Sequence, residues 1–117
     1  MPFGERFAGL AVQVHAHGDL EGLPAAVEVA AYRIAAEAIT NAARHGEAQN
    51  CFVRLSLNGA LDLEVVDDGT GLPRALRAGV GLSSMRERAA ELGGTCEVGP
   101  APGGGTRVAA RLPIAAS

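Results

Sequence analysis

The sequence predicts an α+β fold, a two-layer α/β sandwich in which a mixed sheet of about five strands carries its helices on one face. Three observations lead there. A long alanine-rich run from Pro24 to His45 has the composition and period of a helix and stops at Gly46. Two stretches of apolar alternation, NCFVRLSL and ALDLEVVD, follow it directly. A second helical segment and two further strands, GTCEVG and TRVAARLP, close the chain. With 117 residues, 48% of them hydrophobic and 20% charged, the chain has material for a single core.

Residues 1–8 read as a connector remnant and 9–117 as the folded domain, opening on a weak strand at LAVQVHA. In the first helix Val27, Ile34, Ala38 and Ala42 lie near one line, while Arg33, Glu37, Asn41 and His45 follow one another at i, i+4 on another. The next two strands meet around Asn58-Gly59. A two-residue turn would set Leu55 opposite Asp62; a three-residue loop sets Leu57 opposite Leu61 and Leu55 opposite Leu63, apolar against apolar, and is expected.

The same parity puts Asp67 on the apolar face with Leu61, Leu63 and Val65, and turns Asp68 outward with Asp62 and Glu64. The strand therefore ends, in DDGTG, on a carboxylate aimed at the core. A simple hairpin turn is one reading, but the following LPRALRAGVGL lacks strand alternation. A carboxylate facing apolar side chains needs hydrogen-bond donors. These come either from an arginine, as an ion pair, or from a ligand.

After Leu72 to Ala78 a second helix is predicted within GVGLSSMRERAAELGG. Leu82, Met85, Ala89 and Leu92 form its apolar stripe, Ser84 and Glu87 have capping-box spacing, and Gly93-Gly94 end it. In the last strand Thr106 is in phase with Val108, Ala110 and Leu112 and faces inward. Cys51 and Cys96 each fall inside a strand and outside any CxxC pair, so they are expected as buried free thiols.

Charge and composition exclude several functions. A net charge of −3 leaves no nucleic-acid footprint. All ten basic residues are arginines, which excludes a Walker A loop and the lysine-dependent site of eukaryotic-type protein kinases. No apolar run approaches the roughly 20 residues that span a bilayer, and MPFGERFAGL has no leader character, so a cytoplasmic domain is expected. Gly79 and Gly81 precede a helix, where backbone N–H groups and the helix N-terminus can meet an anion; without a preceding strand they do not make a dinucleotide-binding fingerprint. Asn41, in mid-helix where asparagine is a poor former, offers a carbonyl oxygen to a metal.

Together these stretches resemble the GHKL superfamily, the ATP-binding fold of DNA gyrase, MutL, the large heat-shock chaperone and sensor histidine kinases. YRIAAEAITNAARHG is similar to its N box, DDGTG to its G1 box, GVGLSSMRERAAELGG to its G2 box and GGGTRV to its last glycine-threonine motif, in that order over residues 9 to 113. The form of the first and third boxes is similar to sensor kinases of the NarX and DesK group.

The resemblance implies a Bergerat-type fold binding ATP and Mg²⁺, with a role for each matched residue. Asp67 would accept from the adenine amino group, and Gly69 and Gly71 would let the base lie close to the backbone. Asn41 would hold Mg²⁺ and Glu37 would orient a water. Arg44 and His45 would lie near the phosphates, Gly79, Gly81 and Leu82 would cover them, and Thr106 would support the adenine end. The group carries a short lid; Leu72 to Ala78, with one proline, two arginines and few apolar anchors, is expected to act as that lid and to order only with the γ-phosphate. Asp68 stands where the group usually has asparagine, and facing outward it is expected to matter little.

The implied function is delivery of the γ-phosphoryl group to a histidine on a separate dimerisation and phosphoacceptor domain, with a response regulator downstream. His15, His17 and His45 do not sit in an acceptor context. An anti-sigma-factor serine kinase of the same superfamily is the alternative, and a degenerate interaction module a more distant one.

Overall fold

The computed structural model describes residues 6–7, 9–18, 20–44, 47–70 and 82–114. His45, Gly71, Gly79, Gly81 and the expected lid at 72–78 lie outside the described residues.

Six strands form one mixed sheet. In chain order these are β1 (Arg6–Phe7), β2 (Leu10–His17), β3 (Asn50–Leu57), β4 (Ala60–Asp67), β5 (Thr95–Pro100) and β6 (Thr106–Pro113). Two α-helices are described, α1 (Ala25–Arg44) and α2 (Leu82–Glu91), with a 3-10 turn at Leu20–Gly22. The spatial order is β1-β2-β3-β4-β6-β5, in which only β2 and β3 run parallel. That parallel pair requires a crossover, which α1 supplies. The strand beyond the expected five is β1, a two-residue pairing of Arg6 and Phe7 with Ala11 and Leu10 inside the segment read as a connector. Two residues are too few for a periodic signal.

The β3–β4 register follows the apolar pairing, with Leu57 opposite Leu61, Leu55 opposite Leu63 and Cys51 opposite Asp67. Asn58 N–H donates to the Ala60 carbonyl at 3.0 Å, and Gly59 takes the positive φ that closes the loop. Inward residues of β2, β3, β4 and β6 meet α1 and α2 in a single core that includes Leu10, Ile34, Val53, Leu61, Met85 and Leu112. Each large side chain buried in this way contributes about 1.5 to 3 kcal/mol. Cys51 and Cys96 are buried free thiols, and burial, with Asp67 and Asp68 nearby, pushes Cys51 up to about 12.

The opposite face of the sheet is polar. Glu64 pairs with Arg107 and, at 4.0 Å, with Arg54, and Arg111 reaches Asp62 at 3.1 Å. Exposed pairs of this kind add little stability and keep the face solvated.

The helix α2 ends in a Schellman motif. Gly93 takes φ 76°, Gly94 N–H donates to the Ala89 carbonyl at 2.8 Å, and Gly93 N–H donates to Ala90 at 2.9 Å. A side chain at Gly94 would collide with the Arg111 carbonyl, so the glycine also lets the helix end lie on β6. Helix α2 does not use the expected capping-box spacing as a cap. It begins at Leu82, so Ser84 lies inside the first turn and the Ser84–Glu87 spacing is not an N-terminal cap.

Candidate nucleotide site

The site forms where α1 crosses the ends of β4 and β6. Along α1 the polar line of sequence positions changes character: Arg33 is exposed, Glu37 half-buried and Asn41 only 5% exposed. Residues four apart on a helix of 3.6 residues per turn drift by about 40° per step. A line that starts in solvent at Arg33 therefore rotates into the core by Asn41. Its neighbours there, Ala38 and Ala42, are small and buried, and they leave a cavity between the helix and the sheet. Asn41, Asp67 and Thr106 line that cavity, with Val65 and Val108 as apolar wall.

Asp67 is 6% exposed. Its Oδ1 accepts from the backbone N–H of Gly69 at 2.9 Å and of Thr106 at 3.3 Å. Among the described residues its partners are backbone amides and not an arginine; Arg74 and Arg77 lie outside the described residues. Both amides converge on Oδ1. Burial raises Asp67 above the ordinary carboxylate range; the Gly69 and Thr106 amides oppose the rise and the Asp68 charge adds to it.

Two further contributors act through contacts that the sequence motifs containing them do not reveal. Gly105 is buried against Asp67 with φ 85°, and a Cβ there would stand 2.1 Å from the Asp67 carbonyl oxygen. Only glycine lets β6 begin close enough for Thr106 N–H to reach the carboxylate. The glycine run before Thr106 was the available signal. Asp68 faces outward as its parity requires, yet its carboxylate is fully engaged. Oδ1 accepts from the N–H groups of Gln49 and Asn50, each at 2.9 Å, and Oδ2 accepts from the Asn50 side chain at 2.8 Å. The Asn50 side chain, then the Asn50 and Gln49 amides, hold Asp68 below the usual carboxylate range.

Glu37 does not line the Asp67 cavity. It borders a neighbouring groove between the helices, with Thr40, Ser84 and Arg88. Arg44 is exposed in the last turn of α1, Gly69 is half-buried beside Asp67, and Leu82 opens α2. Among the described residues no three His, Cys, Asp or Glu side chains gather into a metal cluster.

Comparison with known proteins agrees with this architecture. The profile of the histidine kinase-, DNA gyrase B- and HSP90-like ATPase family matches residues 26–116. Sensor histidine kinase LiaS of Bacillus subtilis is 40% identical over 91 residues, which are 75% of this chain and 25% of LiaS. Sensor protein VraS of Staphylococcus aureus is 35% identical over 95 residues, 79% of this chain and 27% of VraS. The chain thus spans about a quarter of the length of these relatives. The crystal structure of the ATP binding domain of PrrB from Mycobacterium tuberculosis superposes with TM-score 0.66 and 28% identity, covering 92% of this chain and 82% of that one. With the sheet order, the buried Asp67 and a profile match over most of its length, the chain belongs to the histidine kinase-, DNA gyrase B- and HSP90-like ATPase family.

Proposed function

We propose that this chain binds Mg-ATP as the catalytic domain of a sensor histidine kinase and delivers the γ-phosphoryl group to a histidine on a separate dimerisation and phosphoacceptor domain. The observation that carries the reading is Asp67, a buried carboxylate lining a cavity with apolar walls, whose Oδ1 is held by two backbone amides and whose Oδ2 is thereby left to read a base. Such an oxygen suits the exocyclic amino group of adenine. Guanine presents a carbonyl at that edge, and two acceptors facing each other in a buried site are costly.

The remaining residues divide the work along α1. Thr106 and Gly69 flank the base through the backbone contacts that orient Asp67, and Asn41 sits toward the phosphates. A single buried carboxamide fits a cation that keeps most of its ligands as water and phosphate oxygen. When bound, Mg²⁺ would be held by the Asn41 side-chain oxygen and would neutralise charge at the transferring group. Glu37, one turn earlier, orients water or the incoming nucleophile, and Arg44 offers a cation near the phosphates, with His45, Gly71, Gly79, Gly81 and Leu82 completing the enclosure. Catalysis is then mainly positioning and electrostatics, so the chain alone turns over slowly.

The relatives are sensor kinases, which supports this reading over the anti-sigma-factor alternative. Placement in the NarX and DesK group rests on the sequence boxes. Among the described residues no helix is long and apolar enough to cross a membrane, which is compatible with a cytoplasmic catalytic domain. The test is phosphotransfer from γ-labelled Mg-ATP to an acceptor hairpin domain supplied in trans. Acid-labile, alkali-stable label on the acceptor is expected. Label on a serine of a partner protein instead would favour the anti-sigma-factor kinase.

A further inference from the structure

We propose that Asp68 is a positioning residue for base recognition, which sets the orientation of Asp67 although it points away from the cavity. The inference rests on the reading of Asp67 as the adenine acceptor. The Gly69 N–H to Asp67 Oδ1 bond closes a turn over three residues, of which Asp68 is the middle one. The peptide planes on either side of Asp68 therefore decide where the Gly69 N–H points. If that turn relaxes, Oδ1 loses one of its two donors and the carboxylate can rotate about its bond to Cβ. Oδ2 then no longer stands in one place.

Asp68 is itself held from outside the turn. Four hydrogen bonds join it to residues 49 and 50: the three to its carboxylate, and its own N–H to the Asn50 carbonyl at 3.1 Å. These residues are anchored in turn. The Gln49 carbonyl accepts from Ala11 N–H on β2 at 2.9 Å, and Asn50 begins β3. The clasp thus ties the end of β4 to the second and third strands of the sheet, and through five residues to the end of α1 that carries Asn41 and Arg44. A surface carboxylate with three donors, all from two adjacent residues about 18 positions away, does more than hold solvent.

The chemistry does not require a negative charge at 68, only an acceptor with the reach of aspartate. Asparagine can keep the two backbone bonds through its Oδ1, and the Asn50 amide can flip to accept from its Nδ2. Alanine keeps none of them. Because the donors at 49 and 50 are near the surface, water replaces the lost bonds and the fold survives the alanine change.

The experiment is calorimetric titration of the full chain and of D68A and D68N with ADP and with inosine diphosphate, alongside thermal melts. Inosine diphosphate replaces the adenine amino group by a carbonyl and puts a proton on N1, and keeps the sugar and phosphates. Wild type should prefer ADP. In D68A that preference should fall about five- to tenfold, the effect of one mis-set hydrogen bond, while D68N retains most of it. A D68A preference equal to wild type, whatever its melting temperature, overturns the inference and leaves Asp68 as a purely structural clasp. A wild type without preference overturns the adenine reading itself, and the inference with it.

Discussion

Replacing Asp67 by asparagine should do more than weaken binding: it should turn the base preference around. The reason lies in which oxygen is already committed. Gly69 N–H and Thr106 N–H both donate to Oδ1, at 2.9 and 3.3 Å. An asparagine must place its own oxygen there, since an NH₂ group would face two donors. Its Nδ2 then occupies the former Oδ2 position and meets the adenine amino group, donor against donor. A hydrogen bond to a charged acceptor is lost, worth about 1.5 to 3 kcal/mol, or roughly 10- to 150-fold in ADP affinity. The same NH₂ group faces the carbonyl of hypoxanthine as a donor, so inosine diphosphate should gain what ADP loses. Calorimetric titration of wild type and D67N with both nucleotides, at one salt and magnesium concentration, gives the two ratios directly. If D67N still prefers ADP, Oδ2 is not the atom that reads the base and the assignment of Asp67 is wrong.

Other outcomes follow from the same geometry. Burial raises Asp67, so the folded apo chain holds a proton there more tightly than the unfolded chain does; stability from this group is present below the ordinary carboxylate range and lost as pH rises through the raised value. D67N should therefore melt higher than wild type at neutral pH, with the gap closing toward acid, while wild-type ADP affinity falls as pH drops through the raised value; melts and titrations across pH read both. Gly105→Ala forces a Cβ to within 2.1 Å of the Asp67 carbonyl oxygen and should cost about 1 to 3 kcal/mol in urea denaturation, with loss of ADP binding. Asn41→Ala should weaken the Mg²⁺ dependence of ATP binding more than metal-free ADP binding; equal losses would make Asn41 structural. Cys51, buried and raised to about 12, should resist a thiol reagent in the native chain at pH 8 and react only on unfolding.

Much of this was legible because parity and period are local. Alternation from Leu61 to Val65 was enough to aim Asp67 inward, and the cost of facing Leu55 with Asp62 selected the loop register that β3 and β4 adopt. The i, i+4 line on α1 was visible too, but an exact four-residue spacing hid its rotation, so the burial of Asn41 beside an exposed Arg33 emerges only from the drift of the helix. Contacts between distant positions left no trace. Asp68 meets Asn50 18 residues away and Thr106 meets Asp67 across 39, and no local pattern encodes either. The insertion of β6 between β4 and β5 is likewise a property of the assembled sheet. The capping-box spacing of Ser84 and Glu87 falls inside α2, where it caps nothing.

The account stands most directly on whether the unmodified chain binds adenine nucleotides and distinguishes them from guanine nucleotides. Titration calorimetry with ATP, ADP and GTP, with and without Mg²⁺, measures this in one series. The structure predicts binding of ATP and ADP, a gain for ATP when Mg²⁺ is present, and far weaker binding of GTP. Equal affinity for ATP and GTP, or no heat with any of the three, would contradict it.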